Sequence, residues 1–325
     1  MLKDQERSGK RGETKVSLLQ VILPVIIMLI IGMICREKDL ISLDGIEGLQ
    51  ALVMNFTLPI SLFYTFYRAG IEADTVVFPI TFFAVTAGGI FVGRILCKLI
   101  KEQDVYFPFT MTGYEAGMLG YALFGILLGN DKITQFALMD IGHVLAIFTV
   151  YVAMVKSVGG THQTAGEAIK GILSTPVLIG IVTGVIFSIT GLGGWIENSS
   201  AGPVIGGVCE FIAAPTSAVI LVVIGYRMHF IGIEWKKISK VIIMRLIQQV
   251  IMALAVFSLF HVLGGIFAEK LTLISAVIMI ILPPPFVLPL YINETEKKEF
   301  YSSAISVYTM LSIVGFMLLS AVVLR

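Results

Sequence analysis

The chain has 325 residues, of which 57% are hydrophobic and 14% are charged, and its formal net charge is +1. Because a typical soluble domain has about 25% charged residues, this composition excludes an ordinary soluble enzyme or binding module and predicts an integral membrane protein. The balanced charge gives no indication of nucleic-acid binding.

Apolar segments of about 20 residues, the length that crosses a bilayer as a helix, recur along the chain. Residues 1–15 form a polar tail, and the apolar run after it is predicted to be a first membrane helix and not a cleaved signal peptide. The sequence therefore predicts an all-α polytopic protein with ten transmembrane helices, at residues 16–35, 47–67, 75–97, 107–129, 133–155, 172–191, 201–225, 238–264, 271–292 and 300–324.

The ten spans divide into two halves of five. Residues 156–171 contain the longest polar break and are predicted to link a first repeat at 16–155 to a second at 172–325. Because five crossings reverse the direction of the next repeat, we predict an inverted 5+5 repeat. Two patterns recur in order: Pro24 with Gly32 as Pro176 with Gly184, and Leu58-Pro59-Ile60-Ser61 as Ala214-Pro215-Thr216-Ser217.

The loops after odd-numbered spans, with the adjoining span ends, hold thirteen Lys and Arg residues against three in the loops after even-numbered spans. By the positive-inside rule, the odd-numbered loops are cytoplasmic and both termini lie outside. The basic residues of the N-terminal tail argue the other way without reversing the count. We therefore expect a multi-pass protein of the inner, cytoplasmic membrane.

Two of the spans contain residues that disfavour a continuous helix. The fourth contains Gly113-Tyr114-Glu115-Ala116-Gly117, and the ninth contains Pro283-Pro284-Pro285-Phe286. Unpaired backbone groups at membrane depth must be buried in protein or line a wet cavity, and interrupted helices in corresponding halves are typical of the substrate site of a secondary transporter. We predict that these nine residues bind substrate where the two breaks meet.

Ionisable residues inside the spans are the other candidates, since each costs about 2.5–3.5 kcal/mol at mid-membrane. Glu115 is predicted either to bind substrate or a proton, or to cap the N-terminus of a half-helix. Asp140 and His143 lie three residues apart on one helical face, where they either relay protons or satisfy the ring nitrogen.

The eighth span carries Arg245, Gln248 and Gln249 on similar faces. Arg245 either pairs with Asp140 or Glu115, or extends to the cytoplasmic interface. We predict a coupling or polar network of Glu115, Asp140, His143, Arg245 and Gln248.

No metal or cofactor is expected. Cys35, Cys97 and Cys209 lack metal-ligand spacing and are predicted to be small buried residues. The absence of a Walker A motif argues against an ATP-driven pump working alone. We do not expect an enzyme, although an intramembrane enzyme acting through Glu115, Asp140 and His143 stays open.

From about Val16 to the end, the chain resembles the auxin efflux carrier family, the bacterial relatives of plant PIN proteins. The match rests on short motifs in order across the ten spans: Asn55-Phe56-Thr57-Leu58-Pro59-Ile60-Ser61-Leu62-Phe63, Asp140-Ile141-Gly142-His143, Thr175-Pro176 with Gly180 and Gly184, Ala213-Ala214-Pro215 through Gly225, and the proline-rich ninth span.

The resemblance implies a scaffold of spans 1, 2, 6 and 7 and a transport domain of spans 3–5 and 8–10, with spans 4 and 9 crossing at their breaks in an NhaA-like or bile-acid-symporter-like way. It implies homodimers in the lipid bilayer through spans 2 and 7, and organic anions such as malonate, malate or indole acetate as substrates. Movement is expected to be an elevator-like shift of one domain against the other.

Two positions depart from the family pattern, since Glu115 stands where plant members have Asn at the crossing and His143 where relatives often have Asn. A fixed negative charge repels a carboxylate, so either Glu115 is protonated during transport or the cargo is not a simple anion. Two alternatives to an organic-acid carrier remain, a sodium-coupled symporter of the bile-acid type and a membrane sensor with a transporter fold.

Overall fold

The structure is a computed structural model that describes residues 18–68, 73–129, 132–160, 166, 175–228, 230 and 234–324. The predicted polar tail at 1–15 and most of the predicted linker at 156–171 lie outside the described residues. The described residues are mainly helical and include no strand, which agrees with the all-α class.

The helices are numbered here after the predicted spans. They are α1 (Leu18–Glu37), α2 (Leu43–Arg68), α3 (Val77–Leu99), α4 (Ala116–Leu128), α5 (Thr134–Val158), α6 (Pro176–Ile189), α7 (Gly202–Arg227), α8 (Trp235–Leu263), α9 (Lys270–Ile281) and α10 (Thr295–Val323).

Seven helices in the described part of the chain are long and apolar enough to cross a membrane, and α4, α6 and α9 are shorter apolar helices. The predicted fourth span, 107–129, is divided into a turn at Phe107–Thr110 and α4. The predicted ninth span, 271–292, is helical only to Ile281 before its prolines, with one further 3₁₀ turn at Leu288–Tyr291. These helices fit a multi-pass membrane protein in which spans 4 and 9 are interrupted.

Close helix pairs depend on glycine. α1 packs along α7, α2 along α6, and α3 along α5. A Cβ on Gly142 of α5 would lie 1.8 Å from the carbonyl oxygen of Pro79 in α3, and one on Gly32 of α1 would lie 2.2 Å from the Val222 oxygen in α7. Only glycine permits backbones to approach this closely, a common way of packing membrane helices.

These contacts sort the helices into two groups. In the first, α1, α2, α6 and α7 pack together, and the Thr216 hydroxyl of α7 donates to the Thr57 hydroxyl of α2 at 2.8 Å. In the second, α8 and α9 pack with α3, α5 and α10. α4 contacts both α7 and α9, so the break before α4 lies where the groups meet.

The outer surface is strongly apolar. Leu23 in α1, Val182 in α6 and Phe211 in α7 are 51%, 52% and 83% exposed. Apolar side chains exposed on helices of this length fit contact with lipid tails.

Candidate functional site: two crossed helix breaks

The fourth span loses its helix between the turn ending at Thr110 and α4, which begins at Ala116. Within this break, Gly113 has φ +75°, a left-handed conformation that glycine adopts without strain. The ninth span loses its helix at Leu282, and the three prolines that follow have no N–H to donate. Both predicted interruptions are present.

The two breaks touch. The Glu115 N–H donates to the Pro283 carbonyl oxygen at 3.0 Å, and the Phe286 N–H donates to Glu115 Oε2 at 2.7 Å. A Cβ on Gly113 would lie 2.7 Å from Cγ of Pro285, so the missing side chain leaves room for the ring. The carboxylate of Glu115 in the fourth span thus bonds to the backbone of the break in the ninth span, which is a structural role across the crossing.

Arg245 of α8 is 0% exposed, so the predicted extension to the cytoplasmic interface is wrong. Its Nη1–H donates to the Thr110 oxygen at 2.9 Å, and its Nη2–H groups donate to the Gly113 oxygen at 2.9 Å and the Leu282 oxygen at 2.8 Å. The described ion pairs do not include Arg245, so the predicted pairing with Asp140 or Glu115 is also wrong. Carbonyls freed by both breaks take the place of a carboxylate because a helix end leaves its last oxygens unbonded.

Gln248 and Gln249 extend this polar face of α8. The Gln248 amide donates to the Gly89 oxygen of α3 at 2.9 Å and to the Thr112 hydroxyl at 2.7 Å. The Gln249 amide donates to the Ile280 oxygen at 2.6 Å. One face of α8 therefore binds α3, the fourth break and the end of α9.

Asp140 and His143 lie beside the same crossing, 0% and 3% exposed. His143 Nε2 accepts the Tyr114 N–H at 3.0 Å, and Nδ1 lies 3.0 Å from Asp140 Oδ1. Because Nε2 is an acceptor, the proton of the neutral ring is assigned to Nδ1, which donates to the carboxylate. Both ring nitrogens are engaged, which favours satisfaction of the ring over proton relay.

A cavity of about 420 Å³ lies beside the ninth break. Its walls come from the start of α2, the end of α7, residues after the triple proline and the first half of α10. The polar and charged lining residues are Glu47, Tyr226, Arg227, Lys298, Ser302, Ser306 and Thr309.

Of the nine predicted substrate-binding residues, only Phe286 lines this cavity. Glu115 and Gly117 are partly buried, and the others are buried in the crossing: Gly113, Tyr114, Ala116, Pro283, Pro284 and Pro285. Their backbone groups bond largely to protein, so the predicted site and the observed cavity meet only at Phe286.

Sequence reasoning missed the hydroxyls of α10. Ser302, Ser306 and Thr309 follow one another at intervals of four and three residues, which places them on one helical face. That spacing is visible in the sequence, but a Ser or Thr hydroxyl in a membrane helix can bond to a carbonyl of the preceding turn, as these three do, and so does not by itself indicate a ligand site.

The three cysteines are free and buried, as predicted. The described residues contain no cluster of three or more His, Cys, Asp or Glu side chains able to hold a metal ion.

No known family model matches the chain, and no curated protein sequence matches it significantly. The family resemblance therefore rests on the motifs alone.

Proposed function

We propose that this protein is a secondary transporter that moves a small organic acid across the cytoplasmic membrane. The observation that carries the proposal is the contact between two interrupted spans, one from each half, with a cavity of about 420 Å³ beside it. Interrupted helices that meet in the interior are the usual construction of a substrate site in such carriers. The cavity volume lies within the range of small-molecule sites.

We also propose the inverted 5+5 repeat, and the helix packing supports it. Gly32 of α1 packs against the Tyr226 nitrogen of α7, and Gly184 of α6 packs against the Tyr67 nitrogen of α2. The glycines are 152 residues apart and the tyrosines 159 apart, as are the two threonines that join α2 to α7. The contact of α1 with α7 thus repeats as that of α6 with α2.

In the proposed elevator, α1, α2, α6 and α7 form the scaffold and the remaining helices move. The cavity is bounded by both groups, since Leu43 and Ile224 belong to the scaffold whereas Phe286 and Ile305 belong to the moving group. Sliding one group past the other would open and close access to a ligand held between them. Phe56 of α2 and Phe211 of α7 are exposed, so the faces through which we propose the homodimer are not covered by the described part of the chain.

Charge at the cavity supports an acidic substrate. Arg227 and Lys298 line it against a single carboxylate, Glu47. The Ser302, Ser306 and Thr309 hydroxyls donate to carbonyl oxygens of α10 itself, so towards the cavity they offer acceptors for a hydroxyl or a protonated group of the substrate. Arg227 and Lys298 lie in or near loops that the positive-inside rule assigns to the cytoplasm, so the cavity opens inward in the proposed orientation. Because Glu115 bonds to the Phe286 N–H, its charge lies next to the cavity, and we propose that it is protonated during transport.

Uptake by proteoliposomes tests the proposal, with dicarboxylates, monocarboxylates, indole acids and amines as candidate cargo. Ser302→Trp should fill the cavity and abolish uptake, whereas Met310→Trp, on an exposed position of the same helix, should leave it unchanged. Thermal stability of both variants serves as the folding control. No flux of any compound would reject the carrier and favour a sensor.

Glu115→Gln tests proton coupling separately. The amide keeps an oxygen for the Phe286 N–H but cannot take up and release the proton. Uptake by this variant should lose its pH dependence. An unchanged pH profile would reject the role of Glu115 while leaving the carrier intact.

A further inference from the structure

Arg245 lies ten residues after the start of the 29-residue α8 and is fully buried. Its three carbonyl partners all lie at or just beyond the C-terminal end of a helical segment. Thr110 ends the turn before the fourth break, Gly113 lies within that break, and Leu282 is the C-cap of α9. Such ends carry negative partial charge, so three partial negative charges converge on one guanidinium.

The charge of Arg245 is balanced without a carboxylate. The guanidinium carbon lies 5.0 Å from the ring centre of Tyr308 and 5.9 Å from that of Tyr114, within the range of cation–π attraction. In carriers with discontinuous helices, unwound carbonyls and half-helix C-termini are the groups that coordinate a coupling cation. Here an arginine on a neighbouring helix occupies a carbonyl set of that kind.

We propose that Arg245 is a built-in cation that takes the place of a coupling metal ion at the crossing, so that the cycle needs no sodium. The guanidinium stays on α8, and its donors reach both breaks at once. The crossing therefore keeps the same compensating charge whether substrate is present or absent. The inference rests on the proposed carrier function and excludes the sodium-coupled alternative for it.

A stability measurement tests the inference without any substrate. Purified wild-type protein should have the same melting temperature when Na⁺ is replaced by choline at constant ionic strength. Arg245→Ala should lose about 5 °C, because it leaves the buried Thr110 and Gly113 oxygens without their donor and leaves the Leu282 oxygen only the longer bond from the Gln249 amide. Added methylguanidinium or Na⁺ should restore part of the lost melting temperature in the variant. Neither cation should raise the melting temperature of the wild type.

Two further variants separate charge from structure. Arg245→Lys keeps the charge, but one ammonium cannot span carbonyls from both breaks, so it should lose less than Arg245→Ala and gain little from methylguanidinium. Arg94→Ala, which removes a partly exposed arginine of α3, should show no response to any cation. If Arg245→Ala cannot be purified, the same cations are added to Arg245→Gln and its melting temperature is measured instead.

Three results would overturn the inference: sodium-dependent stability or uptake in the wild type, a wild-type melting temperature in Arg245→Ala, or a destabilised variant that responds to neither cation. The last would leave Arg245 as a packing residue only. None of these results bears on whether the protein carries an acid, which the cavity variants decide separately.

Discussion

The chain of hydrogen bonds from Asp140 through His143 to Tyr114 ties α5 to the fourth break. His143→Phe replaces the imidazole with an aromatic ring that has no nitrogens. The buried Tyr114 N–H then has no His143 acceptor, and the buried Asp140 carboxylate loses the His143 donor. An unpaired buried N–H costs about 1–3 kcal/mol and a buried charge left without its partner about 3–5 kcal/mol, so we expect a loss of about 4–8 kcal/mol. For a chain of this length, this lowers the melting temperature by roughly 6–12 °C.

The sign of the coupling between the two residues is the sharper test. Asp140→Asn alone should cost about 1 kcal/mol, since the amide oxygen still accepts the His143 Nδ1–H but the bond loses its charge. Added to His143→Phe, it removes the uncompensated charge, so the double variant should be more stable than His143→Phe by about 1–3 kcal/mol.

The buried, free cysteines supply the assay, because a thiol-reactive fluorophore reports unfolding as Cys35, Cys97 and Cys209 become accessible. The exposed His261 provides the matched control, and His261→Phe should leave the melting temperature unchanged. A double variant as unstable as the two single losses together would refute the hydrogen-bond assignment.

Gly142→Ala should lower the free energy of unfolding by about 3 kcal/mol or separate α3 from α5, because its Cβ would lie 1.8 Å from the Pro79 oxygen. Gly207→Ala, with open space around the Cβ, should not destabilise the protein. Comparison of the two melting temperatures tests this. Partial burial raises the pKa of the Glu102 carboxyl. Hydrogen bonds from the Lys240 ammonium and from the backbone N–H groups of Gln103 and Asp104 together lower it by more, so the net pKa is below the ordinary 4.5. The stability from this pair is therefore present above the unfolded pKa and lost as pH falls through the folded one, so Glu102→Gln should flatten the decline of melting temperature below about pH 4.5.

The positions of the helix breaks followed from the sequence because they depend on local chemistry. The glycine cluster around Gly113 and the run from Pro283 to Pro285 disfavour a helix wherever they occur. The contact between the breaks was predicted from the cost of unpaired backbone at membrane depth, and it is present.

The role of Arg245 could not be read from the sequence. Whether an arginine in a membrane helix extends to water or turns inward depends on which acceptors lie beside it, and those belong to residues 37 and more positions away. Spacing along α8 correctly grouped it with Gln248, but the partners are backbone oxygens, which carry no signature in the sequence. The α10 hydroxyls form a visible pattern, yet only the fold brings them to a cavity.

A broken membrane helix needs partners for its freed backbone groups, and those partners decide whether the break itself binds a ligand. At this crossing, Arg245, Gln249 and His143 bond to freed or non-helical backbone groups, and Glu115 bonds to the Phe286 N–H. Because the protein satisfies these backbone groups, an empty crossing does not carry the cost of leaving them unpaired. In the proposed carrier the empty form must also cross between its two orientations, and backbone groups that are bonded by the protein's own side chains favour that return. Substrate then has to gain its contacts from the cavity wall, which places specificity on the α10 hydroxyls and Lys298 and not on the glycine and proline motifs that marked the site in the sequence.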